Sequence, residues 1–182
     1  MNGVDPIFSV LTNYAFAAIF LLAGLHKLKD RAAFSKILEG YGLVPLTALS
    51  VVVAVIPMLE LSAGLIVGLG LAAGKMLVAV LVGLYTIVLA SMIVRGKTDI
   101  DCGCGWATTD SISSGDGISW VHIFRNSILI AITGIWLLPK SDRVLTVFDH
   151  ANAGAFVIAC GLLFIATINL KLHGSSIGAR RP

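Results

Sequence analysis

Between Ala48 and Val94 the chain carries two charged side chains, Glu60 and Lys75, in an otherwise apolar block relieved by glycine and a few hydroxyls. A helix crosses the hydrocarbon core in about 20 residues, so this block is long enough for two crossings. The stretch "LGLAAGK", residues 69 to 75, supplies the glycines of a tight turn between them. In lipid only helices or closed barrels satisfy every backbone polar group. No alternating-strand pattern occurs, so the block predicts a helical pair, about 48–70 and 74–94.

Three further apolar segments have similar length, about 7–25, 120–138 and 152–170. The first is followed by "HKLKDR" and has no A-x-A site, which predicts a retained helix instead of a cleaved signal peptide. Charged residues make up 13% of the chain and hydrophobic ones 57%, with a mean hydropathy of +0.95. A soluble domain needs about a quarter of its residues charged. The expected fold is therefore an all-α integral membrane protein. Residues 1–182 form a single membrane domain, a bundle of about five transmembrane helices with a polar loop over 95–119.

A net charge of +3 gives no footing for nucleic acid; the partner it implies is the lipid bilayer. Five crossings place the first loop, the 95–119 loop and the tail on one face. That face carries nine basic residues: Lys27, Lys29, Arg31, Lys36, Arg95, Lys97, Lys171, Arg180 and Arg181. The other carries three, Lys75, Lys140 and Arg143. Basic residues favour the cytoplasmic side, so the bias predicts an external amino terminus and a cytoplasmic 95–119 loop.

That loop contains "DIDCGCGW", residues 99 to 106, with Cys102 and Cys104 one glycine apart. Most disulfides want Cα atoms about 5.5–6 Å apart, so a bridge here closes with strain, relaxed by Gly103. Strained, accessible disulfides are the labile, exchanging ones. Gly103 and Gly105 leave little bulk around the sulfurs, and Asp101 sits directly beside the pair. Redox exchange fits this spacing, with Cys102 and Cys104 as the reacting pair. Two other readings stand beside it: unconnected loop cysteines, or a soft-metal site for Cu(I) with Asp101, His26 or His122 as added ligands. The spacing does not suit structural zinc. Cys160, mid-segment in "VIACGLLF", reads as a small apolar core residue.

Glu60 lies deep in its segment, where a carboxylate faces a partner or a cavity. Arg125, beside Asn126, is the partner the sequence offers, although an arginine there also snorkels to the interface. Pro57, one turn before Glu60, frees a backbone carbonyl, and Gly64 and Gly68 form a stripe that lets another helix approach.

The stretches "AGLHKLKDRAAFSKILEGYGLVP", "PMLELSAGLIVGLG" and "DIDCGCGW", with "RN" at 125–126, occur in that order between Asn13 and Pro139. In this they resemble the MauE family of methylamine-utilisation proteins, related to the DoxX-like membrane proteins. The resemblance implies a multi-pass protein of the bacterial plasma membrane that helps mature the disulfide-rich small subunit of methylamine dehydrogenase with a thioredoxin-like partner. Cys102 and Cys104 would then be the exchanging pair, supported by Asp101, Gly103, Glu60, Arg125 and Asn126, with no metal required. As an enzyme it would be a thiol–disulfide oxidoreductase. A periplasmic client and a cytoplasmic loop are reconciled by a conductor passing electrons across the membrane. A quinone-linked oxidase is the other route, with a quinone as cofactor but without a second, shuttle cysteine pair. The non-enzymatic alternative is a soft-metal carrier or a scaffold for a periplasmic redox partner.

Overall fold

A computed structural model describes residues 3 to 97 and 120 to 178, with side chains through Thr167 and at Leu170. Asp101, Cys102, Gly103 and Cys104 lie outside the described residues. Five helices are long and apolar enough to cross a membrane, and no strand occurs among the described residues. The chain is an all-α multi-pass membrane protein.

The first span, α1 (Pro6–Lys29), starts where Asp5 accepts a hydrogen bond from the Ile7 amide at 2.9 Å and proline occupies the first turn. It ends at Asp30, which at once caps α2 (Arg31–Tyr41) by accepting from the Ala33 amide at 3.0 Å. Helix α2 is an element beyond the five expected from sequence. It is one short amphipathic rod: Phe34, Leu38 and Tyr41 are buried, while Arg31, Lys36 and Glu39 are exposed. Buried positions at intervals of four and three mark one helical face.

Helices α3 (Leu46–Gly68) and α4 (Ala72–Val94) form the central hairpin. Gly70 turns it with a φ of +77°, a conformation that side chains resist. Helix α5 (Trp120–Thr133) runs into a 3-10 turn (Gly134–Leu137), and α6 (Val147–Gly178) completes the fold.

Helix α1 packs most extensively on α3. A Cβ at Gly64 would lie 3.0 Å from the Leu21 amide nitrogen and 3.1 Å from the Ala17 carbonyl oxygen; one at Gly24 would lie 3.0 Å from the Pro57 carbonyl oxygen. The two backbones approach this closely because both positions lack a side chain. One apolar core lies on each side of the crossing. Phe16, Phe20, Ala63, Val67, Val78 and Leu81 fill the first, and Phe34, Leu38, Leu49, Val53, Leu89 and Met92 the second.

Opposite ends of the bundle are tied differently. At the amino-terminal end, the Val4 amide donates to the Pro139 carbonyl at 2.9 Å and the Ser141 amide to the Val4 carbonyl at 3.0 Å. Arg143 bridges Asp5 and Asp149, 2.6 Å from each, and the Trp136 indole donates to the Thr12 hydroxyl at 2.9 Å. At the other end the Lys97 ammonium reaches the Gly40 and Tyr41 carbonyls, each at 3.4 Å. The first loop, with α2, therefore shares a face with Lys97 at the end of α4, while residues 139–143 meet the amino terminus on the opposite face.

Helix α6 packs on α1 near its start and otherwise presents Phe156, Ile158, Leu162 and Phe164 outward, as a span bathed in lipid does. Cys160 is exposed on this helix, not part of a core. Its apolar surroundings are lipid-facing, and a hydropathy pattern cannot separate a lipid face from a protein face.

Candidate functional site

Glu60 is 1% exposed, and its partner is Lys27. Sequence reasoning paired it with Arg125, but Arg125 is exposed on α5, and the buried member of that dipeptide is Asn126. Lys27 follows an apolar run in a basic flank and reads as a headgroup-facing residue. It is instead 6% exposed, turned into the bundle from the last turns of α1. A lysine stem points back toward the amino end of its helix, which aims the Lys27 ammonium at the mid-bundle level of Glu60. Setting Lys27 aside leaves eight basic residues against three in the sequence count.

The Lys27 ammonium and the Tyr85 hydroxyl both donate to Glu60 Oε1. Three helices thus contribute one group each: α1 the cation, α3 the anion, α4 the phenol. Charge-assisted bonds of this kind are the strong ones in a low-dielectric interior. Glu60 Oε2 is buried and has no hydrogen-bond partner among the described residues. The Lys27 nitrogen also lies 5.5 Å from the Phe34 ring centroid and 5.2 Å from that of Tyr85, within range of cation–π attraction.

Beside this triad is a cavity of about 140 Å³. Its walls come from α2 (Phe34, Ile37, Leu38), α3 (Val52, Ile56) and α4 (Leu84, Tyr85, Val88), with Lys27 as its cationic residue. Leu43 and Leu84, both in the lining, are 39% and 48% exposed. The opening is therefore rimmed by apolar, outward-facing side chains.

Lys27, Tyr85 and α2 were missed in the sequence. A usable signal for α2 was Phe34, Leu38 and Tyr41 on one face. For Lys27 none existed, because its flank matches that of any membrane helix. His26 is exposed at the end of α1 and does not join the triad. Among the described residues no group of three His, Cys, Asp or Glu side chains converges as a metal site would need.

Residues 5–139 match the family described as methylamine utilisation protein MauE. The chain is 29% identical to the methylamine utilization protein MauE of Paracoccus versutus, covering 98% of this chain and 92% of that protein. It is 31% identical to its counterpart from Methylorubrum extorquens over 92% and 87% of the two chains. Identity to the Paracoccus denitrificans protein is 30%, over 71% of this chain and 68% of the relative. No solved structure matches the chain. By the extent of the family match and by these relatives, the chain belongs to the MauE family.

Proposed function

We propose that this chain is a membrane thiol–disulfide exchange protein that works through Cys102 and Cys104 in methylamine utilisation. Its task is the maturation of the disulfide-rich small subunit of methylamine dehydrogenase, at the bacterial inner membrane. Membership of a family whose relatives carry methylamine utilisation in their names supports the pathway. The observation that carries the chemistry is the C-G-C-G run itself, two thiols flanked by glycine in the polar stretch of sequence that follows an apolar segment.

In the exchange, a thiolate of a thioredoxin-like partner attacks one sulfur of the Cys102–Cys104 disulfide and the other sulfur leaves as thiolate. The partner's second thiolate then attacks the mixed disulfide. The partner ends as a disulfide and this chain as a dithiol, two electrons having moved between them. Rates follow the thiolate fraction and access of the sulfurs, and glycine neighbours favour access.

The test is trapping. In cells producing a thioredoxin-like partner, Cys102→Ser or Cys104→Ser leaves one thiol of the pair, which attacks the oxidised partner's disulfide in the reverse of this exchange. It has no neighbouring thiol to resolve the mixed disulfide, seen as a reductant-sensitive band. Cys160→Ser leaves maturation unchanged, since that thiol faces outward from α6. Normal maturation in both single variants would overturn the exchange role and leave metal or scaffold binding in its place.

A further inference from the structure

We infer that the cavity between α2, α3 and α4 binds the head group of a membrane-soluble quinone, with Lys27 donating a hydrogen bond to one carbonyl oxygen. The quinone's role as electron acceptor rests on the thiol-exchange function proposed above; its binding does not.

Size comes first. The cavity measures about 140 Å³. An apolar cavity of about 150 Å³ in another protein holds one benzene molecule, so this one takes a single six-membered ring. A whole lipid does not fit, and a ring bearing an aliphatic tail fits only if the tail leaves. The exposed Leu43 and Leu84 supply the exit: an apolar tail passes between them into the surrounding acyl chains.

Polarity selects the ring. The walls are aliphatic and aromatic, and among the described wall residues Lys27 is the cation. Its nitrogen lies over the rings of Phe34 and Tyr85, both wall residues, which places the ammonium against the cavity lining. An ammonium has three N–H donors, and here one is directed to Glu60. The remaining donors suit an acceptor oxygen. Glu60 already balances the Lys27 charge, so an anionic head group gains little at this site and brings an uncompensated charge into hydrocarbon. A neutral carbonyl gains a charge-assisted hydrogen bond without that penalty. An apolar ring with carbonyl oxygens and a lipid tail describes a quinone.

The cavity lies toward the end of the bundle at which α4 ends. Tyr41, a wall residue, has its carbonyl 3.4 Å from the ammonium of Lys97, which follows the end of α4. The Cys102–Cys104 dithiol would give two electrons and two protons to the bound quinone. The products are the disulfide and the hydroquinone, and the pair is ready to oxidise its partner again.

Binding of 2-decyl-1,4-benzoquinone, whose ring carries no methoxy or methyl groups, to the purified full chain in lipid nanodiscs tests this, read as retained quinone absorbance after equilibrium gel filtration. Saturable binding at about one quinone per chain is expected, and decanoate does not displace it. The double change Lys27→Met with Glu60→Gln, which leaves no stranded charge, weakens binding roughly tenfold or more, as loss of a charged donor does. Leu84→Trp, which obstructs the mouth without touching the triad, weakens it as well. Equal binding by the wild type and both variants, displacement by decanoate, or partition without saturation would each overturn the site. Adding quinone to the pre-reduced chain separates the two proposals. Hydroquinone forms with wild type and not with Cys102→Ser, which still binds quinone. Binding without thiol-dependent reduction would remove the quinone's role as acceptor and leave the site standing, while failure of the exchange role itself is read by the trapping test.

Discussion

The Lys27 ammonium and the Glu60 carboxylate, 33 residues apart in sequence, form an ion pair across the crossing of α1 and α3. Gly24 and Gly64 let those helices approach closely enough for the two side chains to meet inside the bundle. Either charge alone at this depth is costly; the pair is neutral as a unit.

Removing one member strands the other. Lys27→Met and Glu60→Gln are each expected to destabilise the fold by about 3–5 kcal/mol, the range for a broken buried pair. The double variant is expected to be milder than the sum, while Arg125→Gln with Glu60→Gln adds simply. Thermal unfolding in detergent, followed by tyrosine and tryptophan fluorescence, measures both cycles. Additivity between Lys27 and Glu60 would contradict direct pairing.

The close crossing is tested by one methyl group. Gly64→Ala places its Cβ against the backbone at Ala17 and Leu21 and is expected to cost about 1–3 kcal/mol. Gly154→Ala, with nothing within 4 Å of the added carbon, is expected to be neutral or slightly stabilising. The same unfolding assay compares them.

Acid loosens the amino-terminal end. The bond from the Ile7 amide and, next, that from Arg143 hold the Asp5 carboxyl below its ordinary value of 3.8. A carboxylate depressed in the folded state stabilises above its ordinary value, and that contribution disappears as pH falls through the folded value. Asp5→Asn is therefore expected to be less stable than wild type at neutral pH. The gap should close below pH 3.8. A gap that persisted undiminished in strong acid would exclude this linkage.

Orientation follows from eight interfacial basic residues against three. With the native cysteines replaced by serine, a cysteine at Ser141 is expected to react with a membrane-impermeant maleimide in intact cells. One at Ser176 is expected to react only after permeabilisation. The reverse pattern would invert the protein and place the 95–119 loop outside.

The spans were legible because apolar length is a property of contiguous sequence, and Glu60 stood out as a charge inside one. Its partners did not, since pairing depends on which helix faces which. Lys27 looked like a flank because a basic residue after an apolar run has the same sequence appearance whether it turns outward or inward. Arg125 was the wrong choice for a related reason: the α5 rotation that buries Asn126 turns Arg125 away. Helix α2 was overlooked because eleven residues are too few to span, although its capping Asp30 and its Phe34–Leu38–Tyr41 face were visible.

The amino-terminal seam also sets an order of events during synthesis. Val4 closes on Pro139 and Ser141, and Arg143 joins Asp5 to Asp149. The Val4 backbone and the Asp5 contact to Arg143 thus wait until five helices have been translated. A nascent chain that has reached only the end of α5 holds the four earlier spans but cannot latch Val4 or Asp5. The stretch leading into α6 is the segment whose arrival closes the molecule.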